Sequence, residues 1–393
     1  IIVGDTVYDL SAIESLTVNI DGGFPSTAMQ SITATIRGDF SAPDGVIDNV
    51  KIGVETDNGF EYINYGKFFL SNDDGTGYNT DTDMWTVTAY DALVNTMIEI
   101  PTIEDNDTTD DTVDAEKTIS VQELLNGAIG ILSSVGVTST LPDMTAYTVI
   151  ASAYSSQTYR DLLEDVAEVL CGIIRVKDNK LILIRPGEVE STKIELQDLT
   201  SASINDSVQI SGVQLNGTAG IQKILSNETS TEVQVTISDN PIVEYLIDNS
   251  STVAEQLNAV KSNYTAYLLG KTLTSVTANT TGVAWYDIGD FVNITNKKDN
   301  LDYPFVFTKS AITLSNGLTQ SVESSLTSKT EEITYTADSK LKGVTSEINR
   351  LSSGLQLKVS KGDVVSEINQ SPEKISLKAN RIEIDSDTFK LSA

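Results

Sequence analysis

Alternation of β-branched or aromatic residues with small polar ones is the feature that most limits how this chain can fold. It recurs in Ser31-Ile-Thr-Ala-Thr-Ile-Arg37, Val50-Lys-Ile-Gly-Val54 and Trp85-Thr-Val-Thr-Ala-Tyr90, with Gly and Asp clusters such as Asp57-Asn-Gly59 and Asp73-Asp-Gly75 between the runs. A period of two puts every second side chain on one face, so each run reads as a half-buried strand, and short turn-rich spacers favour antiparallel neighbours. Residues 1–99 therefore read as a first antiparallel barrel or sandwich.

The pattern changes over residues 100–198. After the acidic stretch Glu104-Asp-Asn-Asp-Thr-Thr-Asp-Asp111, Ser120-Val-Gln-Glu123 has the form of a capping box. Leu124, Leu125, Ala128, Ile131, Leu132 and Val135 then share one helical face, and Gly136 is a stop signal. A second helix is expected from Thr158-Tyr-Arg-Asp161, with Leu162, Leu163, Val166 and Leu170 buried and Gly172 at its end. The strand-like arms of Ile173–Ile184 flank Asp178-Asn179, a hairpin turn. Together these predict a small α+β domain inserted after the first strand module.

Strand patterning returns over 199–322, broken by one expected helix, 252–270, which starts at Thr252-Val-Ala-Glu255 and carries Leu257, Val260, Tyr264 and Leu268 on one face. A faint internal echo links the two strand regions. Asp48–Val54 and Phe60–Asn72 resemble Gly289–Thr295 and Tyr303–Asn316, the second segments ending Phe-Phe-Leu-Ser-Asn and Ile-Thr-Leu-Ser-Asn. The fold class expected is thus mainly β with α+β: two related β-barrel domains, an inserted small α+β domain and a carboxy-terminal repeat stalk.

That stalk, 323–393, holds the clearest repeat: Val344-Thr-Ser-Glu-Ile-Asn349 with Leu355–Lys358 recurs as Val364-Val-Ser-Glu-Ile-Asn369 with Ile375–Lys378, displaced by 20 residues. A unit so short cannot bury its own apolar face and must stack on neighbours or on other copies. Leu341, Val344, Ile348, Leu351 and Leu355 also fall at alternating heptad spacings, a candidate oligomerisation seam in which Gly343 and Gly354 interrupt the pattern. An amphipathic surface helix is the plainer alternative.

Composition narrows the chemistry. With no His and one Cys, the chain has no Ser-His-Asp or Cys-His pair and no His-ligated metal site. Cys171 lies in an apolar run, where a buried inert thiol is expected. Paired carboxylates remain formally open to glycoside hydrolysis. Among 56 acidic residues, though, any pair can be nominated, and the acidic segments read better as solvated loops and hairpin tips. Asn72–Asp83 lacks EF-hand spacing and its closing Glu, and no phosphate-binding Gly-rich motif is present. No cofactor and no metal are expected. Trp85, Trp285 and the 14 tyrosines offer platforms for sugar stacking, which makes a carbohydrate-binding protein the alternative class.

The net charge of −30 disfavours binding to phosphate backbones or anionic membranes. No apolar run reaches the roughly 18 residues of a membrane span, and the first residues lack a signal-peptide pattern, so neither anchor nor secretion signal is expected. The start without Met suggests processing.

Tyr65–Leu70, Val87–Ala92, Thr158–Ala167 and Gly172–Leu181, in that order, resemble the tail hub proteins of siphophages of Gram-positive hosts, in the amino-terminal module of the tail-associated lysin or prophage endopeptidase tail family. Gly362–Glu373 and Lys378–Glu383 are similar to a segment of phage minor tail proteins. The resemblance implies a non-enzymatic homotrimer, similar to the central hub of contractile-phage baseplates, at the distal end of the virion tail and made in the host cytoplasm. Its two barrels per subunit would make a ring of six, mating with a distal tail protein hexamer above, and its lumen would hold the tape measure protein. Downstream tip or receptor-binding proteins would sit below. On adsorption the hub would open for transient passage of phage DNA, with no specific nucleic-acid site. A mostly acidic wall is expected, since it would not retain phosphates. Either a lysin portion belongs beyond residue 393 or this hub has none, so cell-wall degradation is not carried over.

Overall fold

The structure, a computed structural model of the chain, describes residues 1–42, 44–56, 59–70, 76–101, 117–186, 192–195, 199–226, 232–281, 287–296, 301–315, 317–324, 348–351 and 354–357. It divides into two compact units, Ile1–Asp338 and Ser339–Ala393. The architecture is mainly β.

After a short ribbon of Ile2–Val3 with Thr6–Val7, two long antiparallel hairpins follow: β1 (Ile13–Gly22) with β2 (Ser26–Arg37), and β3 (Val46–Thr56) with β4 (Gly59–Leu70). At the first turn the strands close to within reach of Gly22 only because it has no side chain: a Cβ there would stand 2.6 Å from Ala28 Cβ. β5 (Met84–Tyr90) lies along β2 and receives the last two residues of β4, Phe69 and Leu70, on its other edge. The alternation read in the sequence sorts as period two requires. Leu16, Val18, Ile32, Ala34, Ile36, Phe68 and Val87 are buried in one core, each but Ala34 worth about 1.5–3 kcal/mol of transfer free energy.

The inserted α+β segment packs on a second, larger core. In α1 (Val121–Ser134), Leu124, Leu125, Ala128 and Leu132 are buried, while Ile131 and Val135 are half-buried. Ser120 caps it by accepting from Gln122 N–H, without the reciprocal bond of a capping box. Instead the full capping box forms at α2 (Tyr159–Leu170), between Thr158 and Asp161. That helix ends one residue earlier than its glycine suggests, at Cys171, which takes the left-handed φ of 52°. Gly172 is needed for another reason, since a Cβ there would stand 2.6 Å from Leu183 Cδ1 and 2.9 Å from Ile184 O. β6 (Ile173–Lys177) and β7 (Lys180–Ile184) form the expected hairpin, with Asp178 and Asn179 both at positive φ. β6 also runs parallel to the start of β2, pairing Ile173 with Ser26 and Arg175 with Ala28.

The remainder of the first unit adds β8 (Leu199–Gln209), then β9 (Gly212–Asn216), β10 (Ile221–Leu225) and β11 (Val235–Ile237), which make a small sheet of their own in the order β10-β9-β11. Two helices follow, α3 (Pro241–Asp248) and α4 (Ala254–Tyr267). The sequence reading did not anticipate α3, which Asn240 caps through bonds from the N–H groups of Ile242 and Val243. Nor does Thr252 cap α4, because its hydroxyl donates to Asn249 O at 2.9 Å and Val253 occupies the cap position. β12 (Thr272–Thr281), β13 (Phe291–Asn296), β14 (Leu301–Val306), β15 (Lys309–Leu314) and β16 (Leu318–Ser324) complete it.

The two strand modules are joined through β15 and β1, whose register runs from Ser310↔Ile20 to Leu314↔Leu16. One antiparallel path results, β8-β12-β16-β15-β1-β2-β5-β4-β3, and beyond β3 it ends on Ile2–Val3 and Thr6–Val7. Among the described residues this path is open and does not close on itself, so the modules share a sheet where two separate closed barrels were expected. The physical reason is that the free edges of β1 and β15 satisfy each other's backbone groups. Ile312 of β15 is buried in the core of the first module, which makes the junction part of that core. No helix among the described residues is long and apolar enough to cross a membrane. In the second unit, β17 (Ile348–Leu351) and β18 (Gly354–Leu357) pair as an antiparallel hairpin.

Candidate assembly surface

Strand register decides which side chains share a face, and here it aligns residues from six strands. Thr281 of β12 stands opposite Thr319, Thr319 opposite Thr313, Thr313 opposite Thr17, Thr17 opposite Thr33, and Thr33 opposite Thr88. A row of threonines, Thr319, Thr313, Thr17, Thr33 and Thr88, therefore crosses β16, β15, β1, β2 and β5. Thr17 and Thr313 are linked across the module junction, Oγ1 to Oγ1 at 3.2 Å. The adjacent row reads Ser201, Asn279, Ser321, Ala311, Asn19 and Ser31. Asn279 Nδ2 donates to Ser201 Oγ at 2.8 Å. The opposite face holds Val18, Ile32, Ala278, Val322 and Ile312, all buried. One face of the sheet is core, and the other is solvated and hydroxylated.

Charge on this outer face gathers in the next row, where Lys309 lies between Glu323, its cross-strand partner on β16, and Asp21, 3.3 Å from its Nζ. A shallow hollow of about 370 Å³ opens there, between Asn19, Asp21, Ser31, Thr277, Lys309 and Glu323. At the end of the sheet, β8 pairs only with β12 among the described residues, and Ser201, Ala202, Ser203 and Val208 along it are exposed. An exposed edge of this length is a template for adding a strand from another chain.

Behind the sheet, two polar clusters hold the modules in register. Asp287 binds both Arg175 Nη1 and Lys177 Nζ, the latter at 2.6 Å, and so ties β6 to the segment that leads into β13. Burial pushes the Asp287 carboxyl up, but Arg175 and Lys177 outweigh it and bring its pKa to about 2. Arg175 is only 3% exposed. Burial, with the Asp287 charge second, raises the neighbouring Tyr65 phenol. The other cluster is on α2. Asp165 accepts from Tyr154 OH at 2.8 Å, and Asn240 Nδ2 bridges Asp165 O and Glu168 Oε2. Tyr264 OH of α4 donates to Glu168 O at 2.7 Å. Burial first, and the nearby Glu168 charge second, hold the Asp165 carboxyl well above the usual range. Both carboxylates are buried with protein groups as partners. Asp91 is buried too, accepting from Gln30 N–H and Leu93 N–H, and burial raises its pKa to about 6.

Of the residues singled out in the sequence, Leu341 and Val344 lie outside the described residues. Ile348 and Leu351 are on β17 and Leu355 on β18. Cys171 is fully buried, and burial pushes its thiol up, as suits an inert position. Trp85 is half-buried against Phe40 and Tyr78, with ring centroids 6.2 and 5.5 Å away. Trp285, the acidic stretch 104–116 and residues 72–75 lie outside the described residues. Asp81 and Asp83 sit in a hairpin turn ordered by Asn79 Oδ1, which accepts from Asp81 and Thr82 N–H. No group of three potential metal ligands occurs among the described residues. Sequence reasoning missed the threonine row, because its neighbours Thr17 and Thr313 are 296 positions apart. It also missed the α2 cluster, for which the Asn240-Pro241 cap was the available signal.

No protein-family model and no curated protein matches the chain. Solved structures do. A tail protein from Neisseria meningitidis MC58 aligns at 12% identity and a TM-score of 0.46, over 84% of this chain and 95% of that one. Prophage tail protein gp18 from Listeria monocytogenes EGD-e aligns at 12% identity and 0.46, over 81% and 91%. The 43 kDa tail protein of prophage MuSo2 from Shewanella oneidensis aligns at 9% identity and 0.42, over 82% and 96%.

Proposed function

We propose that the chain is a structural component of a phage tail tip: a trimeric hub that adapts the six-fold tail to a three-fold tip, closes the tail channel and opens for DNA ejection. The observation that supports this reading is the presence of two strand modules joined through one sheet. Each carries a hairpin: β3–β4 reaches β5 through Phe69 and Leu70, and β13–β14, paired with Thr192–Glu195 in a sheet of three, precedes β15 in the chain. Three copies would present six such modules, and a six-fold ring of distal tail protein needs that number of equivalent seats. The exposed edge of β8 gives each copy a surface unlike that at the other end of its sheet, as a head-to-tail ring requires. The tape measure protein would end in the bore, and tip or receptor-binding proteins would continue from the stalk, with Leu341, Val344, Ile348, Leu351 and Leu355 as its candidate seam.

Light scattering on the purified chain tests this. A mass near 127 kDa, three times 42.3 kDa, is expected. Loss of the trimer on truncation after Asp338 would assign registration to the stalk. A stable single-chain mass, alone and with its tail partners, would refute the hub.

The second reading is wall-polysaccharide binding, favoured by the Trp85–Tyr78 ring pair, whose Tyr78 is 46% exposed. It requires saturable polysaccharide binding that is lost in Trp85→Ala.

A further inference from the structure

We propose that the ring pair Tyr78–Trp85 and the carboxylates around it form a docking site for an arginine-rich segment of a partner protein. The proposal does not rest on the hub reading, and it competes with polysaccharide binding for the same rings. Gly77–Asn79 lies along the edge of β5 away from β2 and sets Tyr78 directly opposite Trp85. Trp85 is half-buried against Phe40, which in turn packs on Tyr8 at a centroid distance of 5.3 Å. Four rings thus run from the core of the first module to its surface, and Tyr78 ends the series with nearly half of its surface open. That last ring is held in place. Its hydroxyl donates to Asp83 Oδ1 at 2.7 Å, and Asn79 Oδ1 fixes the turn between them by accepting from Asp81 and Thr82 N–H. A large side chain fixed before a partner arrives loses little freedom on binding, which is what an interface anchor needs.

Charge decides what kind of partner fits. Asp39, Asp81 and Asp83 are exposed, and Asp39 stands close enough for its charge to act on the Tyr78 phenol. Among the described residues no cation pairs with any of the three, and Arg37, opposite Met84 in the register, is held by Glu14 at 2.8 Å. The faces of the rings are negative as well, so rings and carboxylates present one sign to an incoming group. Arginine answers both, since its plane stacks on an aromatic face and its N–H fork binds a carboxylate. A second copy of the chain is a poor occupant, because each copy carries a charge of −30. A neutral sugar would use the rings but draw nothing from the net charge beside them.

The probe is a fluorescein-labelled peptide of alternating glycine and arginine, with a counterpart in which glutamine replaces arginine. Each is titrated with the full-length chain and read by fluorescence anisotropy. Tyr78→Ala removes the ring, and Tyr78→Phe keeps it without the hydroxyl. Asp39→Asn with Asp83→Asn removes two charges but leaves an acceptor for Tyr78, and Asn tolerates the φ of 54° at position 83. Glu123→Gln with Glu255→Gln, at exposed positions of α1 and α4, removes the same charge elsewhere. The arginine peptide should bind saturably and the glutamine peptide should not. Tyr78→Ala should weaken binding about 5-fold, with Tyr78→Phe within about 2-fold of native. The Asn pair should weaken it about 10-fold at low salt, a gap that closes as salt is added, while the Gln pair stays within about 2-fold. Indifference to Tyr78→Ala, or equal losses from the Asn and Gln pairs, would mean only general attraction to an acidic chain and would overturn the site. So would binding of a neutral cell-wall polysaccharide that is insensitive to salt and lost in Tyr78→Ala, if the arginine peptide fails to bind. Peptide binding by a chain that never forms a trimer would keep the site and remove the hub.

Discussion

Replacing Asp287 by Asn should uncouple the second strand module from β6 at a cost that can be worked from the site itself. A carboxyl whose pKa stands at about 2 when folded and 3.8 when unfolded stabilises the fold by about 2.4 kcal/mol above both values, at 1.36 kcal/mol per pKa unit. Asn keeps the shape and one acceptor but not the charge, so Asp287→Asn should lose about that amount at neutral pH. Asp287→Ala strands Arg175, 3% exposed, without its partner, and should lose about 3–5 kcal/mol. The sign is fixed by the lowered pKa: the contribution is complete above 3.8 and fades as pH falls toward 2. Roughly half of it should therefore be gone by pH 3. Urea unfolding of both chains at pH 6 and pH 3, followed by circular dichroism, reads the gap directly. Adding Arg175→Met to Asp287→Asn should recover part of the loss, since no buried cation then remains. A gap under about 0.5 kcal/mol at pH 6, or one that does not narrow at pH 3, would refute the account of Asp287 as the clamp.

Asp91 runs the other way. Its pKa, raised to about 6, means the folded chain holds a proton more tightly than the unfolded one, so stability should rise as pH falls from 7 toward 4, by up to about 3 kcal/mol from this group. Asp91→Asn should flatten that part of the urea-midpoint profile, and an unchanged slope would contradict the assignment. Gly22→Ala forces a Cβ to 2.6 Å from Ala28 Cβ and should cost about 1–3 kcal/mol, seen as a lower thermal midpoint. Thr158→Ala removes the capping box of α2 and should cost about 1 kcal/mol. Cys171 should resist a thiol reagent until the chain is unfolded, and reaction at the native rate of an exposed thiol would show the site to be open.

Local signals in the sequence were legible where local physics decides the outcome. Period-two runs such as Ser31–Arg37 became strands with the expected residues inside, and Asp178-Asn179 became a turn with both residues at positive φ. Where several local solutions compete, the reading slipped by a residue or a motif. Thr252-Val-Ala-Glu255 has the pattern of a cap, but the Thr252 hydroxyl finds Asn249 O instead. α2 stops at Cys171, and Gly172 is kept by its close approach to β7. α3 is 8 residues long, too short for periodicity to declare it. The open path of the shared sheet was out of reach, because nothing near Ser310 in the sequence says that its strand will lie beside Ile20.

The threonine row follows from two demands that few side chains meet together. A sheet face of six strands needs residues that favour extended backbone, which argues for β-branched or aromatic side chains. If it must also stay wet and uncharged, Val, Ile and the aromatics are excluded by exposure, and Lys, Arg, Asp and Glu by charge. Ser and Asn satisfy the second demand but weaken the strand, so they belong where neighbours support them, as Asn279 and Ser201 support each other. Threonine alone combines a β-branched stem with a hydroxyl, and it occupies the row that crosses the junction between β1 and β15. Selection for strand stability alone would accept Lys or Glu at exposed positions such as Thr33 and Thr319. Thr33→Lys and Thr319→Lys should therefore leave stability to urea within about 0.5 kcal/mol of the native chain, and a larger loss would show that the threonine stem is needed for the strand itself.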